Sequence, residues 1–335
     1  MIENNMEFTF GVLTYNNEQT ILTTLESIKY QVVNYGKNID CNLVISDDNS
    51  SDNTNQIVKD WLKQNKQHFL DIQHLISNSN NGISSNYCNL IKNINTNYFI
   101  KVDGDDVISS KNVIDIATSV GDSEMLVFLP LKFKGENLWI DQDELYRHLY
   151  YTNKKLTNRS SMLLLTMLSP FYTVQIVFQK KLISENCMQF IRQFRNFEDN
   201  TTLFYILNNN KNVHFKFVPE QLVLYRRENS SITVCVNTSA QISFLDDLHK
   251  YRKITLKCEK NCFVKLFLAL NVWNSFLMKH RFSAEKSFVL KLRNYFFRKI
   301  QYKGKLIFAS RYSDDFFETI IKNEKKKLSK LQEVN

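Results

Sequence analysis

Residues 98–106 read YFIKVDGDD. Tyr98–Val102 is a short, mostly apolar run of the kind that forms a strand buried on both faces. Asp103, Asp105 and Asp106 follow it at once. Three carboxylates within four residues repel one another unless a cation sits among them. Carboxylate oxygens suit Mg2+ or Mn2+, ions that bind through one or two carboxylates plus substrate phosphates. Taken alone, the stretch is read equally well as a polar turn in which Asp106 caps the next segment. The glycine and distal glutamate of an EF-hand loop are misplaced here.

The chain upstream alternates strand and helix patterns. Phe8–Leu13 (FTFGVL), Asn42–Ser46 (NLVIS) and His68–Ile76 read as strands. Glu18–Tyr30, with Ile21, Leu22, Leu25 and Ile28 at helical spacing, reads as a helix, as do Thr54–Lys66 and Ser84–Lys92. This alternation predicts a parallel sheet with helical crossovers. Such sheets bind ligands beyond the carboxyl ends of their strands. Polar clusters fall at those ends: Thr14-Tyr15-Asn16, Asp47-Asp48-Asn49-Ser50 and Asp103-Gly104-Asp105-Asp106. Helix capping by Ser51 or Asp52 explains part of the second cluster, but not the acidic pair directly at the strand end. Downstream, Met125–Leu131, Val174–Phe178, Val213–Val218 and Gln221–Tyr225 read as strands, and a helix starts at Glu198-Asp199. Beyond about residue 238 the pattern is helical and basic.

With 335 residues the chain has room for one large domain or two ordinary ones. Its 43% hydrophobic content and only 7 Gly and 3 Pro exclude disordered and collagen-like classes. Charge divides the chain. Residues 250–335 hold 21 Lys and Arg against 7 Asp and Glu, a net of +14, whereas residues 1–249 hold 22 against 27, a net of −5. A basic tail suggests an anionic partner. Of the six cysteines only Cys258 and Cys262 are close, with no second pair to complete a zinc site, and all six are read as reduced. The opening MIENNMEFTF lacks the basic and apolar regions of a signal peptide. No run of about 18 apolar residues occurs; Cys262–Leu270 is short and interrupted by Lys265.

In order along about 230 residues, four segments resemble family 2 glycosyltransferases, which have the GT-A fold. FGVLTYNNEQTILTTLESI (Phe10–Ile28) is similar to the family's first strand, Thr-Tyr-Asn turn and first helix. NLVISDDNSSDNT (Asn42–Thr54) is similar to its second strand and Asp-Asp-x-Ser turn, NNGISSN (Asn80–Asn86) to its Asn-x-Gly segment, and YFIKVDGDD to its D-x-D metal motif. The resemblance implies a nucleobase pocket lined by Thr14 and Tyr15, with Asn16 beside them and Asp48 bonded to the base. It implies donor contacts from Asn86, Asp103 and Gly104, and a divalent ion, Mn2+ or Mg2+, held chiefly by Asp105 with Asp103 and Asp106.

Asn196-Phe197-Glu198-Asp199-Asn200 is similar to the family's Glu-Asp pair. The resemblance makes Asp199, ahead of Glu198, the general base of inverting transfer; read without it, either is an acid at a helix start. Tyr225–Thr233 is similar to the family's closing segment. There Arg226 would bind phosphate, and Glu228 stands where the family usually has a metal-binding His. The expectation is therefore a mostly parallel GT-A sheet over residues 1–237, with a basic, mainly helical region over 238–335. Its activity would be metal-dependent transfer from a UDP-sugar to a glycan or lipid-diphosphate-linked acceptor in surface polysaccharide synthesis. The enzyme would be cytoplasmic and peripheral, its tail on an anionic membrane or solvated as a helical appendage. The alternatives are a non-catalytic GT-A-fold binding subunit and a nucleic-acid-binding or nucleotidyl-transfer protein; the latter lacks a zinc finger, a P-loop and an RNA-recognition signature.

Overall fold

The computed structural model describes residues 6–118, 125–146 apart from 130, 136 and 143, residue 150, 176–227 apart from 211, 212, 214 and 219, and 239–279, together with 295, 298–299, 301–306, 319, 321–322 and 324–326. Strand β1 (Met6–Thr14) lies inside the main sheet. It pairs in parallel with β2 (Ile39–Asp47) on one side and β4 (Tyr98–Asp103) on the other, placing Phe10 beside Leu43 and Ile100, and Val12 beside Ile45 and Val102. Both faces of these strands are covered, which explains near-continuous apolar runs in place of alternation. Strand β3 (Ile72–Ile76) continues the parallel order beyond β2.

Helices α1 (Ile21–Tyr35), α2 (Thr54–Asn65) and α3 (Ile83–Lys92) are the crossovers. Ile21, Leu25 and Ile28 of α1 join Val58 and Trp61 of α2 in the core beneath one face. Tyr87, Leu90 and Ile91 of α3 form the core on the other face. That second core also takes in α5 (Glu185–Ile191) and α6 (Glu198–Asn209), and Tyr251 of α7 (Ser239–Cys258). The remaining elements are β5 (Val107–Ile108), α4 (Val113–Thr118), β6 (Met125–Val127), β7 (Leu131–Lys134), β8 (Asn137–Trp139), β9 (Ile176–Gln179), β10 (Phe215–Phe217), β11 (Val223–Arg226) and α8 (Cys262–Lys279).

Among the described residues the main sheet runs β10-β6-β9-β4-β1-β2-β3, with β9 antiparallel to both β4 and β6. A smaller sheet, β5-β11-β7-β8, stands beside the end of β4. This is the expected mixed, mostly parallel sheet between helices. One element differs. Met125–Leu131 is not a single strand: β6 ends at Val127 and β7 starts at Leu131 in the other sheet. A continuous apolar run cannot report where a chain leaves one buried sheet for another, because both environments select the same side chains. Of the expected strand at Val174–Phe178, Val174 and Gln175 lie outside the described residues.

Helix α8 packs on the outer side of α7 with its polar face inward. Asn271, Asn274 and Ser275 are buried, the Arg252 guanidinium donates to the Asn271 carbonyl at 3.0 Å, and His249 lies 2.9 Å from the Ser275 hydroxyl. Its outward face carries Leu266, Trp273 and Phe276, with Trp273 58% exposed. Among the described residues no helix is long and apolar enough to cross a membrane.

Candidate active site

The turns after β1 and β2 are stitched into one surface. Asn16, with φ +52°, accepts from the Ser51 N–H at 2.8 Å, and its own N–H donates to the Ser50 hydroxyl at 2.8 Å. Asn17, which the sequence reading passed over, holds the β1 turn: its side-chain oxygen accepts from the Thr14 hydroxyl and the Tyr15 N–H, each at 3.0 Å. Thr14 is buried, whereas Tyr15 stands 45% exposed on the rim. The Asp47 carboxylate is used within its own turn, accepting from the Ser50 N–H at 2.8 Å and the Asn55 amide at 3.0 Å.

Asp48 is buried. Its two oxygens accept from the N–H groups of Asn81 at 2.9 Å and Gly82 at 2.8 Å, which joins the second and third expected motifs. Burial pushes its carboxyl above the usual range, against the pull of those two hydrogen bonds. Each oxygen keeps a second lone pair. Asn86 is buried between the ends of β1 and β2. Its amide nitrogen donates to the Ser46 carbonyl at 2.9 Å and the Thr14 carbonyl at 3.4 Å, and its oxygen accepts from the Ser46 hydroxyl at 2.6 Å. The amide thus ties the ends of β1 and β2 together.

The third rim lies at the end of β4. Gly104 sits under the β1 turn, where a Cβ would come within 2.8 Å of the Asn17 amide oxygen and 2.9 Å of the Thr14 hydroxyl. Its N–H donates to the Leu13 carbonyl at 2.7 Å. Asp105 is half-buried, and burial with the adjacent Asp103 raises its carboxyl to about 6. Asp106 stands deeper than Asp105. It is fully buried, and one oxygen accepts from the Arg226 N–H at 2.8 Å, which fastens β11 to the β4 turn. Its other oxygen has no partner among the described residues, and burial holds its carboxyl well above the ordinary range. The hydrogen bond from the Arg226 N–H gives Asp106 a role in clamping the β11 backbone to the β4 turn. Arg226 turns its guanidinium over the Phe133 ring at 4.5 Å, and its Nε donates to the Asp105 carbonyl at 2.7 Å. Glu228 lies outside the described residues.

Lys101 connects the end of β4 to the start of α6. It is 1% exposed, and its ammonium lies 3.0 Å from the Asp103 carboxylate and 3.2 Å from that of Glu198. Burial alone would lower its pKa, but Asp103, Glu198 and Asp199 outweigh burial and hold it charged. Glu198, at the first turn of α6, is buried; burial and Asp199 raise it to about 7 against the pull of Lys101. Burial likewise raises Asp103, with Lys101 opposing and Asp199 adding. Asp199, next in the turn, is partly exposed. The sequence did carry a signal for Lys101: a lysine inside the buried run YFIKV needs an acidic partner.

Among the described residues no group of three His, Cys, Asp or Glu is arranged to hold a metal ion.

Residues 9–181, just over half of the chain, match the family described as Glycosyl transferase family 2. No curated protein matches the sequence. Among solved structures, S. aureus TarS 1–349 in complex with UDP-GlcNAc is similar at 15% identity and TM-score 0.59, covering 98% of this chain and 93% of that one. A longer S. aureus TarS structure matches at 18% identity and TM-score 0.55 over 81% of this chain; the present chain spans 44% of its length. The mannosyltransferase PcManGT from Pyrobaculum calidifontis, in complex with GDP-Man and Mn2+, matches at 12% identity and TM-score 0.53, covering 97% and 85% of the two chains. At these identities the likeness speaks for the fold. Together with the family match and the carboxylate-lined rim, it leads to one conclusion: the chain belongs to glycosyl transferase family 2, enzymes that use nucleotide-sugar donors, and has the GT-A fold.

Proposed function

We propose that the protein is a metal-dependent, inverting glycosyltransferase acting on a UDP-sugar, with a hydroxyl of a glycan or lipid-diphosphate-linked glycan as acceptor. The observation that carries this reading is the meeting, around Lys101, of the β4 carboxylates with the Glu198-Asp199 turn. Thr14, Tyr15, Asn16 and Asp48 form the nucleobase side, and Asp103, Gly104 and Arg226 the ribose and diphosphate side. Asp103 and Asp105 would hold Mn2+ or Mg2+, which when bound offsets the charge developing on the leaving diphosphate.

The chain's own residues do the rest. Arg226 keeps its terminal guanidinium nitrogens for a phosphate while Nε stays on the Asp105 carbonyl. Asp199 takes the acceptor hydroxyl proton as that oxygen bonds to the anomeric carbon, opposite the breaking carbon–oxygen bond to the diphosphate. Glu198, pinned by Lys101, fixes the turn that carries Asp199.

The region after residue 237 is proposed as a helical extension that docks on an anionic membrane from the cytoplasmic side, near a lipid-linked acceptor for surface polysaccharide. The outward Leu266, Trp273 and Phe276 of α8 and the +14 net charge of residues 250–335 support it. A thermal-shift screen of UDP-, GDP- and dTDP-sugars with and without Mn2+ tests the donor reading. A donor at about 100 times its Kd stabilises by roughly 2.7 kcal/mol. Equal shifts without metal, or a response to GDP-sugars alone, would replace the reading.

A further inference from the structure

The turn that carries Glu198 and Asp199 is held from outside the sheet. Asp247, buried in α7, accepts with a single oxygen from the N–H groups of Arg195 at 2.9 Å and Asn196 at 2.7 Å. Ser243, one turn earlier in α7, accepts from the Asn196 side-chain amide at 3.0 Å. Phe197, the residue from which α6 starts, packs its ring against Phe244 at 5.5 Å and Tyr251 at 5.1 Å, both from α7. From the opposite side, α3 holds the same turn: the Phe197 N–H donates to the Ser84 hydroxyl at 3.2 Å, and the Ser84 N–H to the Arg195 carbonyl at 3.1 Å. The Arg195 guanidinium donates to the Asn80 side chain at 2.5 Å, next to the loop that holds Asp48.

The backbone N–H groups just before a helix have no partner within it, so something else must satisfy them. Here α7 supplies that partner from about 50 residues downstream, beyond the residues that match the family. The geometry points to Asp247 as a positioning residue for group transfer: α7 sets the Arg195–Phe197 turn, and through it the place of the acceptor-side carboxylate. This rests on reading Asp199 as the base. A displacement of about 1 Å in a reacting group can cost about 100-fold in rate.

The test uses the full chain. Turnover is UDP release, with water as acceptor, from whichever of UDP-glucose, UDP-N-acetylglucosamine and UDP-galactose the wild type cleaves fastest in Mn2+. UDP affinity comes from calorimetry, and every rate is taken per folded molecule below the melting transition. Asp247→Ala is expected to lower kcat at least tenfold with UDP affinity within twofold of wild type. Asp247→Asn, whose oxygen can still accept from both N–H groups, is expected to recover most of the rate. If Asp247→Ala does not fold, Asp247→Glu, which keeps the charge but moves the oxygen by one methylene, is expected to show the same loss. Wild-type kcat in the folded variant, or equal losses of kcat and UDP affinity, would overturn the proposal. Asp199→Asn, assayed alongside, separates the two readings. If it retains full turnover, the base assignment falls whatever Asp247 does. If it is inactive while Asp247→Ala or Asp247→Glu is not, only the positioning role falls.

Discussion

Replacing Lys101 with methionine keeps most of the side-chain length and apolar stem and removes the charge. The ammonium is essentially inaccessible and lies 3.0 Å from Asp103 and 3.2 Å from Glu198. Breaking a buried ion pair by removing one partner costs about 3–5 kcal/mol, since the other charge is left uncompensated. At about 2–4 °C per kcal/mol, Tm should fall by roughly 6–20 °C. Glu198 sets the pH dependence. Its folded carboxyl is raised to about 7, above the ordinary carboxylate value, because of burial and Asp199, with Lys101 holding it down. A raised carboxyl favours the fold while protonated and costs stability once pH climbs through the folded value. Without Lys101 that value rises further, so the penalty of Lys101→Met should be greatest near pH 8 and shrink towards pH 5. Lys101→Met/Glu198→Gln should regain much of the loss at pH 8. Urea denaturation at both pH values measures all three quantities. A loss under about 1 kcal/mol at pH 8, or a double variant no better than the single one, would refute the buried-pair reasoning.

Asp105→Ala should abolish the extra thermal stabilisation that Mn2+ gives a UDP-sugar and cost at least about 2–4 kcal/mol of transition-state stabilisation; full turnover in EDTA would exclude a metal. Gly82 has φ +89°, and a Cβ there would meet the Arg195 carbonyl oxygen at 2.6 Å. Backbone strain alone puts Gly82→Ala at about 1–3 kcal/mol less stable, and calorimetry should show weaker UDP binding as the loop leaves Asp48. Trp273→Ala/Phe276→Ala should reduce the salt-resistant part of sedimentation with phosphatidylglycerol vesicles, leaving the fold intact by circular dichroism.

Local pattern was enough to locate the strands, the crossovers and the polar rim. Burial on both faces selects continuous apolar runs, and a helix repeats its apolar face every three to four residues, so β1, β2, β4, α2 and α3 could be read within a few residues of their ends. The order of the motifs carried the family, because their spacing is a property of the chain alone. What each polar side chain does was a tertiary matter. Asp103 and Asp106 lie three residues apart in one run, yet one is at the mouth beside Lys101 and the other is sealed under the Arg226 backbone. Asn86 ties two strands that its own segment does not contain. Lys101 meets Glu198 across 97 positions, and Asp247 reaches the Arg195–Phe197 turn from α7. Residue type and spacing record local conformation; which buried charge finds which partner is decided only when the helices pack against the sheet, since desolvation makes every unpaired arrangement costly.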